Sequence, residues 1–191
     1  MSRPVLQIIA ASTRPGRRGI AVARWIEQQA RQHGGFDVEL VDLAEVGLPV
    51  LDEPNHPRLR RYVHQHTKDW SATVERADAF VFVTPEYNHS FPAGLKNALD
   101  YLSAEWADKP AGLVSYGGVS AGLRAATALK PVLSALRMIP VVEAVSVPFF
   151  AQFIDDQDEF VPNAELEAGG KAMLDELARL TPALQSLRAA A

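Results

Sequence analysis

The apolar residues of this chain gather in short runs, separated by stretches whose apolar positions fall at helical spacing. Val5-Leu6-Gln7-Ile8-Ile9-Ala10 opens the series as a run of the kind buried on both faces of a parallel sheet. A helix then begins at Ile20, with Val22, Trp25, Ile26 and Ala30 on one face and Gly34-Gly35 as its stop. Phe36 to Leu43 reads as a second strand, with Val38, Leu40 and Val41 inward. Past the proline-broken stretch 47–54, Leu59, Val63, His66, Trp70 and Val74 recur at helical spacing. Ala79-Phe80-Val81-Phe82-Val83 is the clearest buried strand. A helix is predicted over Phe91 to Leu102, with Ser90 as its cap, Pro92 in its first turn and Leu95, Ala98, Leu99 and Leu102 as its core stripe. A fourth strand follows over Ala111 to Tyr116. Leu129, Val132, Leu133 and Leu136 stripe the next helix, which Pro131 should kink or divide. Ile139 to Val147 supplies a fifth strand, and the last helix runs from about Asn163 to Leu180, weakened by Gly169-Gly170.

Strands alternating with helices predict an α/β fold: a doubly wound sheet of five parallel strands in the order 2-1-3-4-5, with helices on both faces. At 191 residues the chain reads as one domain, 1–191. In such a sheet the ligand crevice lies beyond the carboxyl ends of the strands. The loops after strands one, three and four are therefore the ones to inspect.

The first of them, Ala11-Ser12-Thr13-Arg14-Pro15-Gly16-Arg17-Arg18-Gly19, joins a strand to a helix and carries two hydroxyls, two glycines and three arginines. Backbone amides at a helix N-terminus, here near Gly19 and Ile20, favour an anion. Ser12 can accept or donate a hydrogen bond, and Arg14 and Arg17 add fork-shaped, charge-assisted donors. There is no G-x-x-x-x-G-K-[ST] and no G-x-G-x-x-G, so neither a Walker loop nor a dinucleotide fingerprint is present. A terminal phosphomonoester suits the loop; the competing reading is ordinary surface charge. The second loop, Pro85-Glu86-Tyr87-Asn88, offers a stiff turn, a planar phenol and an amide able to read the polar edge of a flat ring. The third places Gly117 and Gly118 where a backbone can approach closely, and Ser120 where it can cap the next helix. Phosphate at one end and a planar, hydrogen-bonding ring at the other describe flavin mononucleotide.

Charge and composition narrow this picture. Nineteen basic against twenty-three acidic residues leave a formal charge of −4, which argues against general nucleic-acid binding. Cysteine is absent, so thiol nucleophiles, disulfides and cysteine metal sites are excluded. The N-terminal apolar run is too short for a signal peptide, and no stretch is long enough to span a bilayer; a cytoplasmic protein without membrane association is expected. His64 and His66, two apart on an expected helix, point to different faces, and His33, His56 and His89 lack a partner at ligand spacing. No metal site is expected.

The three loops, extended to Pro85–Asp100 and Ser115–Ala125, resemble the signatures of the NAD(P)H-dependent FMN reductase family, a flavodoxin-like group that includes quinone, azo-dye and chromate reductases. The resemblance covers roughly residues 4 to 147. It implies FMN as cofactor, NADPH or NADH as cosubstrate, and a small-molecule acceptor reduced by ping-pong hydride transfer. It implies that Ser12, Arg14, Arg17 and the amides near Gly19 hold the phosphate, while Pro85 to Asn88, Gly117, Gly118 and Ser120 surround the isoalloxazine. Ala11 stands where many members have glycine, and Arg17 and Gly19 where a common version of the loop has serine and asparagine. Family members are typically dimers or tetramers. Phe91, Tyr101, Trp106 and the apolar excursion Phe149–Ile154 are the interface candidates here, with internal core as the alternative for each. No residue is assigned a catalytic role, since the cofactor carries the chemistry. Glu86, a carboxylate beside a helix N-terminus, is read as a structural acceptor. Two competing readings are an electron carrier with a shielded flavin and a non-enzymatic FMN-binding protein. A receiver-type module would need acidic residues after strand one, where Ser12-Thr13-Arg14 stands.

Overall fold

The computed structural model describes residues 3–189. Five strands form one sheet: β1 (Val5–Ala10), β2 (Asp37–Asp42), β3 (Ala79–Pro85), β4 (Pro110–Tyr116) and β5 (Ile139–Val147). Their spatial order is 2-1-3-4-5, and every neighbouring pair is parallel. The helices are α1 (Gly19–His33), the short α2 (Leu43–Val46), α3 (Gln65–Glu75), α4 (Ala93–Asp100), α5 (Leu123–Ala135) and α6 (Ala164–Ala189).

Alternation along the central strands divides the core between the two faces of the sheet. Leu6, Ile8, Ala79, Val81 and Val83 point towards α1 and α6. Ile9, Phe80 and Phe82 point the other way, towards α3, α4 and α5. Both faces are covered, which is why these strands read as continuous apolar runs. Gln7 breaks the run because its amide reaches out of the sheet, donating to Glu39 (2.9 Å) and to the Thr73 carbonyl of α3 (2.7 Å).

Several helix boundaries differ from the sequence expectation, each for a local reason. α3 begins at Gln65, not near Leu59. Pro57–Leu59 forms a separate 3-10 turn, and the Glu53 carboxylate accepts the Val63 and His64 amides (2.9 and 3.0 Å). His64 therefore stands just before the helix, where its ring stacks on His66 (5.2 Å between centroids) instead of facing away. His66 is not a core residue; it is half-buried and bonds Asp52 (2.9 Å). α4 starts at Ala93 with Pro92 as its N-cap, because Ser90 is engaged in a tight turn with Tyr87. α5 is assigned as one helix through Pro131, without division. α6 continues past Leu180 and through Pro182 to Ala189, and Arg188 ties its end to Asp78 and the Asp108 carbonyl (both 2.7 Å). Its start is as expected: the Asn163 side chain accepts the Leu166 amide (2.9 Å).

Of the interface candidates, Tyr101 and Trp106 are fully buried inside the molecule, and Phe91 packs against the same core. Trp106 sits among Trp70, Phe80 and Phe82 (centroids 5.1–6.3 Å). Beside it the buried Glu105 accepts hydrogen bonds from Ser71 (2.7 Å), Tyr62 (2.8 Å) and the Ser103 amide (3.2 Å). Burial pushes its carboxyl up, but these bonds outweigh burial and hold it below the usual range. A carboxyl lowered in the folded state stabilises above its unfolded pKa, and the contribution disappears as pH falls through the folded value. Glu105→Gln should therefore be less stable than the parent by about 2 kcal/mol at neutral pH. In urea unfolding this gap should shrink as pH falls below the ordinary glutamate range; a gap independent of pH would exclude the ionised form as its source.

Candidate functional site

The backbone ladder continues past the strand ends and sets the three loops side by side. Ala11 N–H donates to the Val83 carbonyl (3.0 Å), Glu86 N–H to Tyr116 (3.1 Å) and Gly117 N–H to Val147 (3.2 Å). The loops that follow β1, β3 and β4 thus open on one edge, joined by the segment after β5. Together they line a cavity of about 460 Å³, within the usual range for a small-molecule site. Its walls include Ser12, Arg14, Arg17, Gly19, Pro85, Glu86, Tyr87, Gly117 and Gly118.

In the first loop, Arg14-Pro15-Gly16-Arg17 is a tight turn closed by the Arg17 amide on the Arg14 carbonyl (3.1 Å), with Gly16 at positive φ. The turn points the chain directly into α1. Arg14 is exposed, and its guanidinium has no hydrogen-bonding or ionic partner among the described residues. Arg17 is held differently. It forms an ion pair with Asp42 at the end of β2, and its buried Nε has no partner. Arg18 also lines the cavity and pairs with Asp158 (2.8 Å). Ser12 is buried, and its hydroxyl bonds the Tyr87 hydroxyl (2.8 Å).

The second loop is built by Tyr87-Asn88-His89-Ser90, a two-residue turn closed by reciprocal Tyr87 and Ser90 backbone bonds (2.8 and 3.0 Å). Asn88 and His89 both have positive φ, as a type I′ turn requires. Asn88 is occupied with this backbone geometry and lies outside the cavity lining, as do Ile20 and Ser120. Ile20 packs instead against the core on the α1 face.

Ser120 was expected to cap α5, but the N-cap is Gly122, and Ser120 contributes its carbonyl to the Leu123 amide (2.8 Å). The capping acceptor is Glu86. Its carboxylate receives the Arg124 amide (3.1 Å) and guanidinium (2.9 Å), joining the second loop to the helix after the third. Burial pushes the Glu86 carboxyl up, yet the Arg124 guanidinium, the Ser120 hydroxyl and the Arg124 amide together hold it below the usual range. An ionised, fully engaged carboxylate positions a loop and is poorly placed to deliver protons.

Sequence reasoning missed one wall of the cavity. Phe149, Phe150, Ala151 and Gln152 line it, held by the Phe149 and Phe150 amides on the Gly118 and Gly117 carbonyls (3.0 and 3.1 Å). The available signal was that this apolar excursion follows a fifth strand ending on the same edge. Tyr116, the last residue of β4, was also missed, because its position in an apolar run marks it only as core.

Among the described residues no group of histidine and carboxylate side chains could hold a metal ion, and no helix is long and apolar enough to cross a membrane. The donors that are present suit FMN: unpaired guanidinium capacity and hydroxyls at a helix N-terminus, then a glycine-rich wall beside Pro85 and Tyr87 able to admit a flat ring.

Comparison with known proteins gives a consistent picture. Residues 5–152 match the model of the NADPH-dependent FMN reductase family. An NAD(P)H-dependent FMN reductase of Schizosaccharomyces pombe is 41% identical over 149 residues, covering 76% of this chain and 74% of that protein. An FMN-dependent NADPH-azoreductase of Staphylococcus saprophyticus is 26% identical over 172 residues, covering 89% and 91%. Among solved structures, an NAD(P)H:acceptor oxidoreductase of Paracoccus denitrificans superimposes with a TM-score of 0.73 at 18% identity, over 94% of this chain and 97% of that one.

Proposed function

The chain belongs to the NADPH-dependent FMN reductase family, and from that premise we propose that it is an FMN-dependent oxidoreductase that uses NADPH or NADH to reduce small acceptors such as quinones, azo compounds and flavins. The observation that carries this reading is the single cavity shared by the three loops, basic at the α1 end and lined by glycine and aromatic residues at the other. When bound, FMN supplies a centre that accepts hydride from the nicotinamide and then reduces the acceptor in a ping-pong cycle.

The protein's part is to bind, orient and expose. Arg14 and Arg17 grip the phosphate together with Ser12 and the amides near Gly19 and Ile20. Pro85, Glu86 and Tyr87 set one wall of the ring site and Gly117 and Gly118 the other, with Asn88 and Ser120 supporting these loops from outside. Glu86 keeps the two loops in register through Arg124. Flavin fluorescence titration should show one FMN per chain, and initial rates with varied NADPH and quinone should give the parallel double-reciprocal lines of a ping-pong cycle. Absence of flavin binding in excess FMN would overturn the reading.

We also propose a homodimer or homotetramer. The exposed apolar Val119 (78%), Leu123 (54%) and Phe149 (50%) support it; Phe149 lines the cavity, and Val119 follows directly on the lining residue Gly118. Light scattering at micromolar concentration should give a multiple of the 20.8 kDa chain mass; a fully active monomer would contradict this.

A further inference from the structure

We propose that the Tyr116 hydroxyl belongs to the phosphate grip, standing where a side chain at position 19 would lie and donating a hydrogen bond to a phosphate oxygen of the bound flavin. This rests on the reading of the arginine loop as a phosphate site. The starting observation is a close approach. A Cβ built on Gly19 would fall 1.7 Å from the Tyr116 hydroxyl oxygen and 2.3 Å from Cζ. The phenol therefore fills the space over the bare backbone where α1 begins. Glycine is needed there for room; Gly19 has ordinary negative φ and no conformational reason to be glycine.

The ring is fixed from both sides. It is 4% exposed, anchored at the end of β4, and packed on Phe150 at 4.9 Å between centroids. Its hydroxyl reaches the same corner of the cavity as Ser12, whose own hydroxyl bonds Tyr87. Burial and the neighbouring Tyr87 phenol push the Tyr116 phenol up, so it keeps its proton at neutral pH and can serve as a donor. The Ser12 hydroxyl and the positive charges of Arg17 and Arg14 pull the other way without overcoming burial, and both arginines line the same cavity. The phenol would then add a neutral donor to the charged ones and, being rigid, fix where the phosphate sits along the α1 axis.

The alternative role is packing alone, and Tyr116→Phe separates the two because it keeps the ring. The flavin-free full-length chain is titrated with FMN and with riboflavin, which lacks the phosphate, at one fixed salt concentration. Tyr116→Phe should weaken FMN at least about tenfold, as expected for a hydrogen bond to a charged group, and leave riboflavin unchanged. Gly19→Ala, which must push the packed ring aside, should weaken FMN and lower the melting temperature together, unlike Tyr116→Phe. A thermal scan of Tyr116→Phe, unchanged from the parent, checks that the fold is intact. Equal losses for both ligands, or none, would overturn the proposal. Arg14→Ala run alongside separates the causes. If it discriminates between the ligands and Tyr116→Phe does not, only the phenol's role fails; if neither discriminates, the phosphate reading fails with it.

Discussion

Replacing Arg14 with alanine should weaken FMN roughly 10- to 150-fold and leave riboflavin binding close to unchanged, the range expected for loss of a charge-assisted hydrogen bond. Arg14 is the sharpest probe of the loop because its guanidinium is exposed at the cavity and engages no other described group. Arg17 is a less clean probe. Its ion pair with Asp42, a carboxylate that also receives the Ala44 amide (3.0 Å), means that Arg17→Ala should lower stability as well as phosphate affinity. Arg18, which lines the cavity and is paired with Asp158, should give a smaller loss than Arg14. Lysine at position 14 should recover charge without the forked geometry and fall between parent and alanine. Fluorescence titration of each variant with both ligands provides the check, and equal losses for the two would mean that the loop does not hold the phosphate.

Gly122→Ala should be severely damaging, because the added methyl group would run into backbone that has no room to give. Gly122 has φ +78°, and an added Cβ would fall 2.6 Å from the Tyr116 amide nitrogen and 2.8 Å from the Ser115 Cβ. Left-handed backbone costs a side-chain-bearing residue about 1–2 kcal/mol, and forced overpacking about 1–3 kcal/mol more. The sum, about 2–5 kcal/mol, is a large part of ordinary domain stability. A fall in melting temperature of about 4–20 °C follows for a chain of this size. The surviving protein should lose affinity for riboflavin as well as FMN, because in the proposed arrangement the Gly117–Gly122 loop borders the ring. A drop confined to FMN would place this loop at the wrong end of the ligand.

Much of this architecture is legible in the sequence because its strands are buried on both faces. Ala79 to Val83 can hardly be anything but a central strand, and the order of the loops on the edge then follows from parallel topology. What is hidden are features decided by distant partners. α3 starts late because Glu53 takes the amides of Val63 and His64, and α6 continues through Pro182 to an end pinned by Asp78 and Asp108. The site follows the same division. The strand-end loops announce Ser12, Arg14 and Glu86 by residue type. Tyr116 and Phe150 look like core in the sequence and reach the cavity only through the packing of β4 and the segment after β5. Helix caps mislead for a related reason: Ser90 and Ser120 have the right chemistry, but the turn at Tyr87 and the Glu86 carboxylate already serve those positions.

The central claim is that this cavity holds a flavin open to a nicotinamide, and anaerobic mixing of the FMN-loaded protein with NADPH, then NADH, tests it most directly. The visible absorption of the flavin should bleach rapidly with at least one of the two and return when a quinone is added. A protein that binds FMN yet keeps its yellow colour with both would be a carrier or a passive binder, and the reductase account would be contradicted.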